Sequence, residues 1–168
     1  MIYRTDRVID GPWTKLTFDV FYKTARETQA DIEDMLEIVH YTHEVFYKNA
    51  HFQPEQCDRT MMALNMLYGP VNDLLDLTAR LPETLTPLRY PLLRRLHEVD
   101  KILSDLSLLL ASYRANCQKP SHENLIQRRE MQSKSDALVQ GYEGILQEVT
   151  HLLDKAHFQN QLLDGYNL

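Results

Sequence analysis

Residues 92–117 read LLRRLHEVDKILSDLSLLLASYRANC, and this stretch decides the fold. Leu92, Leu96, Val99, Leu103, Leu106, Leu110, Tyr113 and Cys117 recur at steps of three and four. That period lines one face of an α-helix and is incompatible with the alternation of a strand. Leu93, Ile102, Leu108 and Leu109 fall off the stripe, so the helix is expected either to be buried on a second side or to offer apolar surface to a partner.

The same period extends in both directions along the chain. Upstream, Phe18, Phe21, Ala25, Thr28, Ile32, Met35, Val39, Thr42 and Phe46 form one seam, flanked by Leu36, His43 and Ala50. Lys23, Glu33, Glu37, His40 and Glu44 fall on the opposite, wet side of the wheel. A second helix is expected after Pro54, carrying Cys57, Met61, Leu64, Tyr68, Val71, Leu75 and Thr78. Gly69-Pro70 interrupts it, because Pro70 has no backbone donor and clashes one turn back; a kink, or two shorter helices, should result. Pro82, Pro87 and Pro91 mark a connection of roughly ten residues. Downstream, Pro120 blocks the third helix and Ser121 is placed to cap a fourth. The fourth helix opens with polar turns from Gln127 to Asp136, then carries Leu138, Tyr142, Ile145, Val149, Leu152, Ala156 and Leu163. Gly141 and Gly144 each cost about 1 kcal/mol in a helix interior, so packing has to hold this stretch.

These patterns predict an all-α fold, an elongated antiparallel four-helix bundle with coiled-coil-like seams and helices near 14–50, 54–81, 88–117 and 121–164. Residues 1–13 read as an N-terminal segment and 14–168 as a single helical domain. Leu16, Phe18 and Val20 also alternate, and Asp10-Gly11-Pro12 could close a small hairpin with residues 2–9 as a competing reading.

Composition supports helix and narrows function. The chain has 168 residues, 43% of them hydrophobic, with only 5 Gly and 7 Pro. No apolar window approaches the roughly 18 residues of a membrane helix, and the opening residues lack a signal-peptide core. The net charge of −6, with dispersed Lys and Arg, argues against salt-driven nucleic-acid binding. Protein partners in a hetero-oligomer are the expectation. The two cysteines, Cys57 and Cys117, lie on helix stripes and read as small core hydrophobes in a reducing compartment.

Sites of chemistry are scarce. Glu37 with His40 and Glu148 with His151 have the i, i+3 spacing of di-iron bundle ligands. The wheel turns Glu37, His40 and His151 away from the seams, however, where they cannot share a buried metal. His43 and His97 flank seams and read as edge histidines hydrogen-bonded to a neighbouring helix, with a pH-dependent interface as the sharper alternative. Arg94-Arg95 and Arg128-Arg129 read as solvated helix face or as docking points. No phosphate-binding glycine loop and no zinc spacing occurs. Neither a cofactor nor a metal is implied, and the reading is noncatalytic.

The C-terminal third carries a resemblance. Tyr113 with Asn116-Cys117, Pro120, and Glu123 with Leu125-Ile126, then Arg128-Arg129-Glu130-Met131, Leu138, Gln140, Ile145, Gln147 and Leu152, resemble the corresponding stretch of the Mediator coactivator subunit thirty family. Glu27-Thr28 with Asp31-Ile32 is similar to that family's first helix. The second helix with Gly69-Pro70 and the proline-rich connection at 82–91 have no counterpart there. The resemblance implies a noncatalytic scaffold subunit, nuclear in location, of a coactivator that bridges activators and RNA polymerase II. Leu138, Tyr142, Ile145, Val149 and Leu152, with Leu108 and Leu109, would then pack against other subunits. The alternative is a self-contained four-helix-bundle adaptor or bacterial interaction module, cytoplasmic and unrelated to transcription.

Overall fold

The computed structural model describes residues 15–49, 52–117 and 121–166, with Lys15, Leu16, Asn160 and residues 162–166 described in backbone only. Five α-helices follow one another: α1 (Lys15–Lys48), α2 (Pro54–Met66), α3 (Tyr68–Ala79), α4 (Arg89–Asn116) and α5 (His122–Tyr166). A 3₁₀ helix, Glu83–Leu88, occupies the proline-rich connection before α4. With α2 and α3 forming one broken arm, the arrangement is an all-α four-helix bundle without strands among the described residues.

Each boundary has a local cause. At its end, α1 is closed by Asn49, whose backbone and side-chain amides both donate to the Val45 carbonyl. Pro54 then opens α2, and the Gln56 side chain accepts the Gln53 N–H at 2.9 Å, a reciprocal cap. The chain breaks at Leu67, three residues before Pro70, so of the two outcomes expected at Gly69-Pro70 the pair of shorter helices occurs. Ser121 caps α5 as its position suggested: its Oγ accepts the Asn124 N–H at 3.1 Å.

Contacts between side chains set the register. Along α1 and α5, Tyr22 meets His157, Gln29 meets Thr150, His43 meets Asp136 and Phe46 meets Gln132, so the two helices run antiparallel, step for step. Antiparallel pairing also joins α4 and α5, through Asp105 with Lys134, Ser112 with Gln127 and Asn116 with Asn124. The α2–α3 arm closes the ring between α1 and α4.

The core is continuous from Phe18 to Ala156. All eight stripe residues of α4 and its C-cap are buried, as are eight of the nine positions of the α1 seam, Met35 being half-buried. Buried threonines are tolerated because Thr28, Thr42, Thr60 and Thr78 each return their hydroxyl to the carbonyl four residues back. The second stripe needs correction: Thr60, Leu67 and Leu74 are buried, whereas Met61, Tyr68 and Leu75 are half-buried at its edge. The buried positions Cys57, Thr60, Leu64, Leu67, Val71, Leu74 and Thr78 keep steps of three and four through the break, so the inward face lies one residue to the side of the expected stripe at Met61, Tyr68 and Leu75.

Two further expectations change. The opening turns of α5 are packed: Met131 is fully buried, and Asn124 and Ser135 are nearly so, with the Asn124 amide donating to the Asn116 carbonyl at 2.8 Å. Residues 15–20 are helical, which removes the strand at Leu16–Val20; the remainder of the hairpin, residues 2–12, lies outside the described residues, as do Ala50 and the Leu163 side chain.

Tyr142 holds the centre. It is fully buried on α5 and donates its hydroxyl across the bundle to the Leu67 carbonyl, at the break between α2 and α3. Burial pushes its phenol well above the ordinary range. Tyr142→Phe should therefore lower stability by about 1 kcal/mol, the net worth of one hydrogen bond, read as a lower denaturation midpoint with an unchanged slope.

Candidate functional site

The seven residues singled out for partner binding divide sharply. Leu138, Tyr142, Ile145, Val149 and Leu152 are completely buried in the chain's own core. Their seam is satisfied from within, by α1, α4 and the α2–α3 arm, and it offers nothing to another subunit in the folded state. Leu108 and Leu109 lie on the outside of α4 instead. Leu108 is 71% exposed, while Leu109 is half-buried against the core.

These two leucines sit in an open groove between α4 and α5, completed by Asp105, Ser112, Glu130 and Lys134. Lys134 Nζ donates to the Asp105 carboxylate at 3.2 Å across the groove, and one turn pair away Gln127 Nε2 donates to Ser112 Oγ at 2.8 Å. Antiparallel pairing of α4 and α5 brings those two links into line and leaves Leu108 projecting between them. Glu130 is exposed on the α5 rim. Ile126, one turn before Glu130, is 43% exposed, and its neighbour Leu125 is 46% exposed. Exposed leucine and isoleucine thus stand beside one ion-paired and one hydrogen-bonded link between the helices.

The α4–α5 pair can approach closely because of two glycines. A Cβ built at Gly141 would stand 2.6 Å from Val99 Cγ2, and one at Gly144 would stand 3.0 Å from the Arg95 guanidinium carbon. Arg95, read from sequence as solvated or docking, is instead laid half-buried over Gly144, whereas Arg94 and Arg129 are exposed.

The histidines behave differently from one another. His43 Nε2 donates to Asp136 Oδ1 at 2.8 Å, and Tyr47 Oη donates to Asp136 Oδ2 at 2.6 Å, joining α1 to α5 as expected of an edge histidine. His97 is exposed on α4 rather than turned inward, because position 97 follows the stripe residue Leu96 and rotates out. Glu37, His40 and His151 are exposed, and Glu148 is half-buried. No group of three metal-ligating side chains occurs among the described residues.

The Asp136 node carries a pH prediction. Hydrogen bonds from Tyr47, then from His43, hold its carboxyl below the usual carboxylate range. A carboxylate with a depressed folded pKa adds stability that is present above the unfolded value, near 4, and is lost as pH falls through the folded value. Asp136→Asn should therefore flatten the acid side of the melting-temperature profile, with wild type and variant converging once the pH has fallen below the folded value. A parallel profile, offset equally above and below that value, would refute this.

No described helix is long and apolar enough to cross a membrane. Compared with family models, with curated proteins and with solved structures, the chain finds no match in any of the three.

Proposed function

We propose that this chain is a noncatalytic helical scaffold that binds other proteins through the outer face of α4 and α5, centred on Leu108. The observation that carries the reading is the contrast along these two helices: the α5 seam is wholly committed to the chain's own core, while Leu108 stands 71% exposed in a groove with half-buried Leu109 beside it. A partner side of matching apolar character would remove that leucine from water, at roughly 1.5–3 kcal/mol.

Two settings fit such a scaffold. In the first it is a subunit of a Mediator-like transcription coactivator in the nucleus. Leu125 and Ile126, which belong to the stretch that resembles subunit thirty, support it by being apolar and exposed. In the second it is a free-standing adaptor, a reading supported by a core that closes on its own helices.

Leu108→Asp tests the function itself. Leu108 is a surface position, so the variant should keep its fold, and affinity purification from the source cell should recover the wild type's principal partners at least about tenfold less efficiently. Identical recovery by both proteins would contradict the assignment. The identities of the co-eluting proteins then separate the two settings: transcription-complex subunits for the first, an unrelated set for the second.

A further inference from the structure

Cys57 and Cys117 are the chain's two cysteines, and the scaffold reading makes no use of their chemistry. They lie 60 positions apart in sequence, yet the bundle brings them together. Cys57 sits in the first turns of α2 and Cys117 is the C-cap of α4, both with no exposed surface. The ends of these helices are clamped around them. Arg114 donates twice to the Asp58 carboxylate, at 2.6 and 3.1 Å. The Phe52 N–H meets Tyr113 Oη at 3.4 Å, and the two rings pack edge-on at 5.6 Å.

Inside this clamp Cys117 lies close enough to Cys57 to disfavour its thiolate. Cys117 Sγ donates at 3.4 Å to the carbonyl of Arg114, the residue whose side chain grips Asp58 beside Cys57. The sulfurs are therefore neighbours, on backbones fixed by flanking contacts, and both are free thiols. Burial pushes the Cys57 thiol up to about 12, so at neutral pH it stays protonated.

We propose that Cys57 and Cys117 form a latent disulfide site, closed by a peroxide, that ties the start of α2 to the end of α4. Cys117, at a helix terminus where opening costs least, meets the oxidant first. Its sulfur attacks hydrogen peroxide; the O–O bond breaks, a sulfenic acid forms and one water leaves. Cys57 sulfur then attacks the Cys117 sulfur, the S–O bond breaks, and the displaced hydroxide takes the Cys57 proton as a second water. Two thiols and one peroxide become one disulfide and two waters, with each sulfur oxidised by one electron and the peroxide reduced.

The test uses the full chain, reduced and then incubated with hydrogen peroxide. The expected products are a monomer lighter by two hydrogens, a cross-linked peptide pair carrying Cys57 and Cys117, and no alkylation of either residue after denaturation. The closed loop should raise Tm by roughly 4–16 °C, reversed by a reductant. Cys117→Ser should lose both the mass change and the Tm shift; the wild-type measurement stands alone if that variant fails to fold. The proposal is overturned if both thiols still alkylate fully in denaturant, if oxygen accumulates on either cysteine without a cross-link, or if the only disulfides join separate chains.

Discussion

Ile145→Asp should abolish the fold. Ile145 is fully buried at the middle of α5, within the face that meets α1 and α4. Replacing it removes a side chain whose burial is worth about 1.5–3 kcal/mol and puts a carboxylate into the buried core. The carboxylate must stay protonated or draw water inward, and either adds several kcal/mol. The sum approaches the whole stability of an ordinary domain, about 5–15 kcal/mol. The expected result is loss of helical circular dichroism at 25 °C, or a Tm lowered beyond measurement. A cooperative transition within a few degrees of wild type would show that this seam is not core. Had the seam faced another subunit, the same variant would fold normally and lose only its partner, so the measurement also separates an intramolecular role from an intermolecular one.

Gly141→Ala is expected to have the second-largest effect, and its sign runs against helix propensity. Alanine favours a helix over glycine by about 1 kcal/mol. At Gly141, however, the added Cβ would stand 2.6 Å from Val99 Cγ2, well inside contact distance. Val99 is itself fully buried and has nowhere to go. Forcing α4 and α5 apart should cost about 1–3 kcal/mol, which exceeds the propensity gain. Val99→Ala removes the offending methyl, so the double variant should recover much of the loss, a coupling that a double-mutant cycle reads directly. Gly144→Ala is the control. There the neighbour is the end of a flexible Arg95 side chain, which can shift, so the propensity gain survives and stability should hold or rise. Equal destabilisation by both alanines would argue against the close crossing at Val99.

Much of the architecture was legible because burial and helical period are the same signal. Along α4, every residue from Leu92 to Cys117 that repeats at three and four positions is in the core. Capping was legible for the same kind of local reason, as Ser121 shows. Two kinds of information were not. The period of α5 told that Leu138, Tyr142, Ile145, Val149 and Leu152 are covered, but periodicity carries nothing about which helix covers them, and they turned out to pack within the chain. The opening of α5 looked too polar to pack because Asn124 and Ser135 are small polar residues that bury by bonding to nearby carbonyls. The spacing of Met131, Ser135 and Leu138, at steps of four and three, was the available clue. The surface groove was half legible: Leu108 was marked as off-stripe, but its walls come from residues some twenty positions later and only the α4–α5 register assembles them. The meeting of Cys57 with Cys117 was invisible for the same reason.

The antiparallel match of α1 with α5 has a consequence for biosynthesis. Of the five described helices, α1 leaves the ribosome before the others and finds its main partner in α5, the last of them to emerge. Ile32 and Val39 must wait for residues more than a hundred positions downstream, and at 5–20 residues per second that delay is roughly 5–20 s. Throughout it, only the lesser contacts with α2 and α3 cover the oily side of α1, so the growing polypeptide carries exposed apolar surface until α5 emerges.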